Sequence, residues 1–110
     1  MSKYGNRKIF TDDGSFDSLK EYRRWQELRL MERAGAITQL SRQTKFELIP
    51  SQIEDGKVAE RAVTYKADFT YCQDGAFICE DVKSSATKTR EYIIKRKLMR
   101  YVHGIRVREI

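Results

Sequence analysis

Two rhythms of apolar residues run along the chain. Ser18-Leu19-Lys20-Glu21 has the form of a capping box, good helix formers follow to Ala34, and Gly35 stands where a left-handed residue ends a helix. This predicts a helix from Asp17 or Ser18 to Ala34. Residues 44–49, Thr-Lys-Phe-Glu-Leu-Ile, alternate with period two and stop at Pro50, which predicts a first strand. Residues 51–60 read as a polar loop. Residues 62–72 and 77–83 are rich in β-branched and aromatic residues, and they flank Gln73-Asp74-Gly75-Ala76. Asp-Gly is a hairpin signal, because both central positions of the tight turn need φ > 0. Residues 84–87 form a connector and cap, and a long helix then runs to His103 with Ile94, Leu98, Tyr101 and Val102 as its apolar stripe. Gly104 ends it, and residues 105–110 alternate as a last strand. Residues 1–15 are polar, carry Asp12-Asp13-Gly14 and show no period, so they read as a loose arm before a folded domain over 16–110. The predicted order is helix, three strands, helix, strand, an α/β arrangement.

A hairpin turning about Asp74-Gly75 pairs residues whose numbers sum to 149, so Asp68 lies opposite Asp81 and Lys66 opposite Lys83. Alternation puts Lys66, Asp68, Thr70 and Cys72 on one face with Phe77, Cys79, Asp81 and Lys83. The other face carries Ala67, Phe69, Tyr71, Ile78 and Val82, with Glu80 as a polar exception. Trp25, Tyr22, Leu28 and Met31 are expected in the core beside the first helix.

The 110 residues suit one domain, and their longest uncharged apolar runs are far short of the roughly 20 that a bilayer span needs. The start of the chain lacks an apolar signal region, so the cytoplasm is the expected location. Cys72 and Cys79, with His103, do not make a zinc site and are expected as reduced core thiols. Charge is more informative. The chain carries 22 Lys+Arg against 16 Asp+Glu, a net +6. Residues 83–108 hold nine Lys/Arg against Glu91 alone, so the excess lies at the C-terminal end, where it suits a polyanionic partner.

The facing acids carry the chemistry. Asp68 and Asp81 would repel unless a cation lies between them. Oxygen ligands suit Mg²⁺, which takes one or two carboxylates and keeps other positions for water and phosphate. Lys83, two residues past Asp81, points to the same side and suits stabilising charge on a phosphorus under attack by water. The set is an apparatus for phosphodiester hydrolysis.

Lys66-Ala67-Asp68, then Glu80-Asp81-Val82-Lys83 across a hairpin, with Glu21 on an upstream helix, resembles the PD-(D/E)XK superfamily of restriction-endonuclease-like nucleases over residues 16–110. The closest likeness is to a group of short phage-encoded proteins with the Glu-Asp-Val-Lys run and a downstream Tyr-x-x-Lys helix, here Tyr92 to Lys95. Holliday-junction resolvases are among the related branches. The resemblance implies an αβββαβ core with a mixed central sheet flanked by helices. It further implies Asp68 and Asp81 as Mg²⁺ ligands with the Val82 carbonyl, Mn²⁺ able to substitute, Lys83 as catalytic lysine and Glu21 as the acid of the first core helix. Ala67 replaces the proline usual before the first aspartate. The neighbouring Glu80 is an alternative to Asp81 as ligand, and strand alternation prefers Asp81.

Lys88, Tyr92 and Lys95 are expected on one stripe of the last helix, suited to DNA backbone contacts. The implied activity is a phage-type DNA endonuclease in the host cytoplasm, structure-selective because so short a chain has little surface for reading bases. A homodimer would supply two sites for symmetric cutting of a branched junction. Alternative readings are a nicking or repair endonuclease on linear duplex, and an inactive DNA-binding accessory protein of the same fold.

Overall fold

The computed structural model of the chain describes residues 7–110. Helix α1 spans Leu19–Arg33, and the Ser18 side chain caps it by accepting the Glu21 N–H at 3.1 Å. Glu21 completes the box one residue further back than the usual pattern, since its Oε2 accepts the Asp17 N–H at 2.6 Å. Helix α2 spans Arg90–His103, is capped by Thr89, and ends at Gly104 in the left-handed region (φ 67). Both predicted helices are therefore present, but α2 starts later than expected, capped by Thr89 and not within residues 84–87, where Ser85–Thr87 form a separate 3₁₀ turn.

Strands β3 (Thr38–Ile49), β6 (Val63–Gln73), β7 (Ala76–Asp81) and β8 (Arg108–Glu109) form one sheet in the order β3-β6-β7-β8. The first three are antiparallel and β8 joins β7 in parallel, so the sheet is mixed. Around it the order is helix, three strands, helix, strand. Two short hairpins stand outside that order: β1 (Ile9–Thr11) with β2 (Gly14–Phe16), and β4 (Gln52–Glu54) with β5 (Lys57–Glu60). The first corrects the loose arm over its described part. Phe16 is buried against Tyr22 and Trp25, while Asp13 binds the Arg29 guanidinium and the Trp25 indole N–H. Residues 1–6 of the predicted arm lie outside the described residues. The second hairpin corrects the predicted loop, and its turn is again Asp-Gly, at Asp55 and Gly56.

Each face of the sheet holds one helix. Leu28 of α1, with Trp25 and Met31, packs on Phe69, Tyr71, Ile78 and Val82. Met99 and Tyr92 of α2 pack on Leu48, Tyr65, Ala67, Cys79 and Val107 on the other face. Ala67 thus joins Tyr65 under α2, not Phe69 under α1 as simple alternation predicts. The alternation breaks at Asp68. Its β3 neighbours Arg42 and Thr44 pair with Phe69 and Ala67, whereas Gln43 between them is left-handed (φ 53) and takes no ladder position.

The stripe on α2 also differs. Ile94, Tyr101 and Val102 are exposed, and the inward face is formed by Tyr92, Ile93, Leu98 and Met99. Tyr22, Trp25 and Met31 are half-buried, and Leu28 fully buried. Cys72 and Cys79 are free thiols, Cys79 buried and Cys72 half-buried. Among the described residues no helix is long and apolar enough to cross a membrane.

Candidate active site

The β6–β7 ladder runs in the predicted register from Gln73 opposite Ala76 to Phe69 opposite Glu80, and stops one step short of Asp68 and Asp81. At that step the side chains take over from the ladder. Asp81 Oδ1 accepts the Asp68 backbone N–H at 3.2 Å, and Asp68 Oδ2 accepts the Val82 N–H at 2.8 Å. Each carboxylate caps the strand that bears the other. Parallel pairing with β8 holds the far side: Ile110 N–H reaches the Asp81 carbonyl at 2.9 Å, and Lys83 N–H reaches the Ile110 carbonyl at 3.2 Å.

The first turn of α1 brings Glu21 to the same place, and it is 2% exposed. One of its oxygens is occupied by the Asp17 N–H, but Oε1 is buried with no hydrogen-bond partner. Burial, and the adjoining Asp68 carboxyl, push the Glu21 pKa up to about 8. Two carboxylate oxygens can approach each other only if a proton or a cation lies between them. Burial and the Asp68 charge likewise push Asp81 up to about 7, against the lowering pull of the Tyr65 hydroxyl and Lys83. Asp68, Asp81 and Lys83 form no ion pair among the described residues. Lys66 is exposed, pairs with Lys45 across the β3–β6 ladder, and does not neutralise the aspartates. The cluster is therefore a set of acids short of positive charge. Among the described residues no three acidic, His or Cys side chains form a ready-made cage, and a backbone N–H already occupies one oxygen of each aspartate.

Glu80 takes a separate role. Alternation turns it to the α1 face, where Arg24 grips it with two bonds (2.8 and 2.6 Å) and the Tyr71 hydroxyl donates a third. It is fully buried and its acceptors are satisfied, so Asp81, not Glu80, is the acid beside Asp68.

Two residues outside the sequence motif support the site. Tyr65 donates its hydroxyl to Asp81 Oδ2 beneath the sheet. Glu109 of β8 collects the Tyr92 hydroxyl (2.7 Å), Arg96 (2.9 Å) and Lys88 (3.1 Å), which together hold its pKa down at about 2. The Tyr92 ring, fixed by that bond, lies 4.4 Å from Lys83 Nζ and gives the ammonium a cation–π seat. Burial leads the rise of the Tyr92 pKa, followed by the bond to Glu109. No sequence spacing announces either contact, since β8 joins β7 only through the parallel pairing. The predicted stripe of Lys88, Tyr92 and Lys95 is not an exposed helical row. Lys88 precedes α2 and pairs with Glu109, Tyr92 is buried, and Lys95 pairs with Glu91 at 3.0 Å.

Beside Lys83 a cleft of about 360 Å³ opens between the start of α1 and the connector after β7, with Arg7, Lys20 and Lys83 on its walls. Lys20 Nζ reaches the Lys83 carbonyl at 3.4 Å. Among the described residues the lining of the cleft carries these three cations and no acid.

The model of the family described as Protein of unknown function (DUF1064) matches residues 1–108, and the chain belongs to that family. No curated protein and no solved structure matches it.

Proposed function

We propose that this DUF1064 chain is a divalent-metal-dependent DNA endonuclease with Glu21, Asp68, Asp81 and Lys83 at its centre. The observation that carries the reading is that Glu21 and Asp81 each adjoin Asp68, Glu21 with a buried partnerless oxygen, beside a lysine that pairs with none of them. A structural hairpin has no use for such a cluster, because each uncompensated buried acid costs stability. The element order and the mixed sheet fit the αβββαβ core of the PD-(D/E)XK superfamily, which the sequence resembles. Glu21 Oε1 and the remaining lone pairs of Asp68 and Asp81 suit Mg²⁺ or Mn²⁺, with the Val82 carbonyl, on a backbone held by Asp68, as a further oxygen. Bound there, the ion supplies the missing positive charge and the Lewis acidity that phosphodiester hydrolysis by water requires.

The chain's own residues do the rest. Tyr65 and the Asp68 N–H fix the orientation of Asp81. Lys83, seated on Tyr92 and lining the adjoining cleft, would stabilise the charge that grows on phosphorus as water attacks. Glu21 holds the α1 end of the site through its bond to the Asp17 N–H. The three acids keep a phosphate away unless a cation is present, so cutting is tied to metal. The small surface favours structure-selective cutting, as in junction resolvases.

Strand cleavage of a labelled four-way junction and a matched linear duplex, in Mg²⁺, Mn²⁺ or EDTA, tests this reading with the wild type and Asp81→Ala. Metal-dependent cutting of the junction that disappears in the variant is expected. Cutting of both substrates alike makes the enzyme a general nicking endonuclease. Binding without cutting in every metal makes it an accessory protein.

A further inference from the structure

The acids nearest α2 are already occupied: Glu91 by Lys95, and Glu109 by Lys88 and Arg96. Lys97, Arg100, Arg106 and Arg108 form no ion pair among the described residues. With Arg96 they line an open groove of about 740 Å³ between α2 and β8, and Glu109 is the one acid in its lining. Lys97 and Arg100 are three apart on a helix and so share a face, and Arg106 and Arg108 are two apart on an extended segment, about 6.6 Å along it. The groove therefore offers a repeating row of cations, not a single point charge. Its outer wall is β8, the edge of the sheet.

We propose that the groove between α2 and β8 is a docking track for the DNA backbone, distinct from the predicted row of Lys88, Tyr92 and Lys95. The inference rests on the endonuclease reading for the identity of the polyanion. Glu109 links track and site: it lines the groove and binds Tyr92, on whose ring Lys83 sits. A phosphodiester chain lying along the groove thus leads toward the catalytic lysine. A peptide strand is a poorer occupant, since β8 is two residues long and gives little template for pairing. An anionic lipid surface is also poorer, because the lining is concave and its one apolar residue, Val107, is buried.

Counterion release makes the track measurable. Each phosphate neutralised adds about 0.9 to the slope of log K against log salt for duplex DNA, so removing two cations flattens the slope by about 1.8. Binding of a fluorescein-labelled DNA duplex is followed by anisotropy in EDTA, where no cutting occurs, for the wild type, Arg100→Gln/Arg106→Gln, and a control, Arg33→Gln/Lys57→Gln, on other surfaces. The groove variant is expected to lose about 12-fold less affinity than the wild type between about 50 and 200 mM salt, and to bind more weakly at the lower concentration. The control keeps the wild-type slope, and thermal melts verify that all three are folded. An unchanged slope in the groove variant, an equal flattening in the control, or tighter binding to a matched RNA duplex overturns the proposal. A flattened slope in a protein that never cuts DNA leaves the track standing and removes the endonuclease, whereas cutting with an unchanged slope does the reverse.

Discussion

Asp81→Asn removes one charge from the acid cluster while keeping its shape and its neighbours. The Asn oxygen can still accept the Asp68 N–H, and its amide can donate to the Tyr65 oxygen where Asp81 now accepts. A carboxyl whose pKa is higher folded than unfolded holds its proton more tightly in the folded state, so its contribution is complete below the unfolded value and is lost as pH rises through the folded one. For Asp81 that window runs from the ordinary 3.8 to about 7, a difference equivalent to about 4 kcal/mol before relaxation of the site. Taking half of that as realised gives about 2 kcal/mol, or roughly 8 to 16 °C in melting temperature for a domain of this size. Without metal, Asp81→Asn is therefore expected to melt well above the wild type at pH 8 and close to it at pH 4. Mg²⁺ at pH 8 should raise the wild-type transition and leave the variant unmoved. Thermal denaturation by circular dichroism across that pH range, with and without Mg²⁺, makes the comparison. A variant destabilised equally at both pH values would show that Asp81 is held for packing and that the cluster stores no repulsion.

Three further outcomes follow from the packing. Glu80→Gln leaves Arg24 without its buried partner and should cost about 3 kcal/mol in urea denaturation while preserving the response to Mg²⁺; loss of that response without loss of stability would restore Glu80 as the metal ligand. Met99→Ala should cost about 2 to 5 kcal/mol, whereas Ile94→Lys, on the exposed side of the same helix, should change stability by less than about 0.5 kcal/mol. Equal penalties at the two positions would return the apolar stripe to the place that hydropathy alone assigns it. Glu109→Gln should weaken the hold on Tyr92, slow cutting and leave Mg²⁺ stabilisation intact, seen by pairing cleavage rates with melts; an unchanged rate would remove Glu109 from the positioning of Lys83.

How legible the molecule is from its sequence depends on how local each cause is. Asp74-Gly75 sets the β6–β7 register because the turn dictates pairing outward from itself, and that register brings Asp68 and Asp81 together. Asp55-Gly56 sends the same signal, but its flanks are three and four residues long and exposed, with Ile53, Val58 and Ala59 too few to set up an alternation. The capping box places Glu21 because it fixes N3 of α1. The orientation of α2 is harder, because Ile94-Leu98-Tyr101 and Tyr92-Met99 are both apolar rows. Tyr92 is turned inward by contacts with Tyr65 and Glu109, which are distant in sequence. The switch of face at Asp68 is likewise invisible to a period-two reading, since it arises where the aspartate side chains replace ladder hydrogen bonds. Arg24 as the partner of Glu80 depends on how α1 crosses the sheet, which residue spacing does not encode.

The most direct test of the endonuclease is single-turnover cleavage of supercoiled plasmid DNA with Mg²⁺, comparing the wild type with Lys83→Met. Lys83 forms no ion pair among the described residues, so its loss should leave the protein folded, and saturating enzyme separates the loss of one phosphate contact in binding from the loss in cutting. The account predicts metal-dependent nicking by the wild type, abolished by EDTA and reduced at least 100-fold in the variant, about the scale of losing one charge-stabilising donor. No cutting by the folded wild type with either Mg²⁺ or Mn²⁺, or cutting that persists undiminished in Lys83→Met, would contradict it.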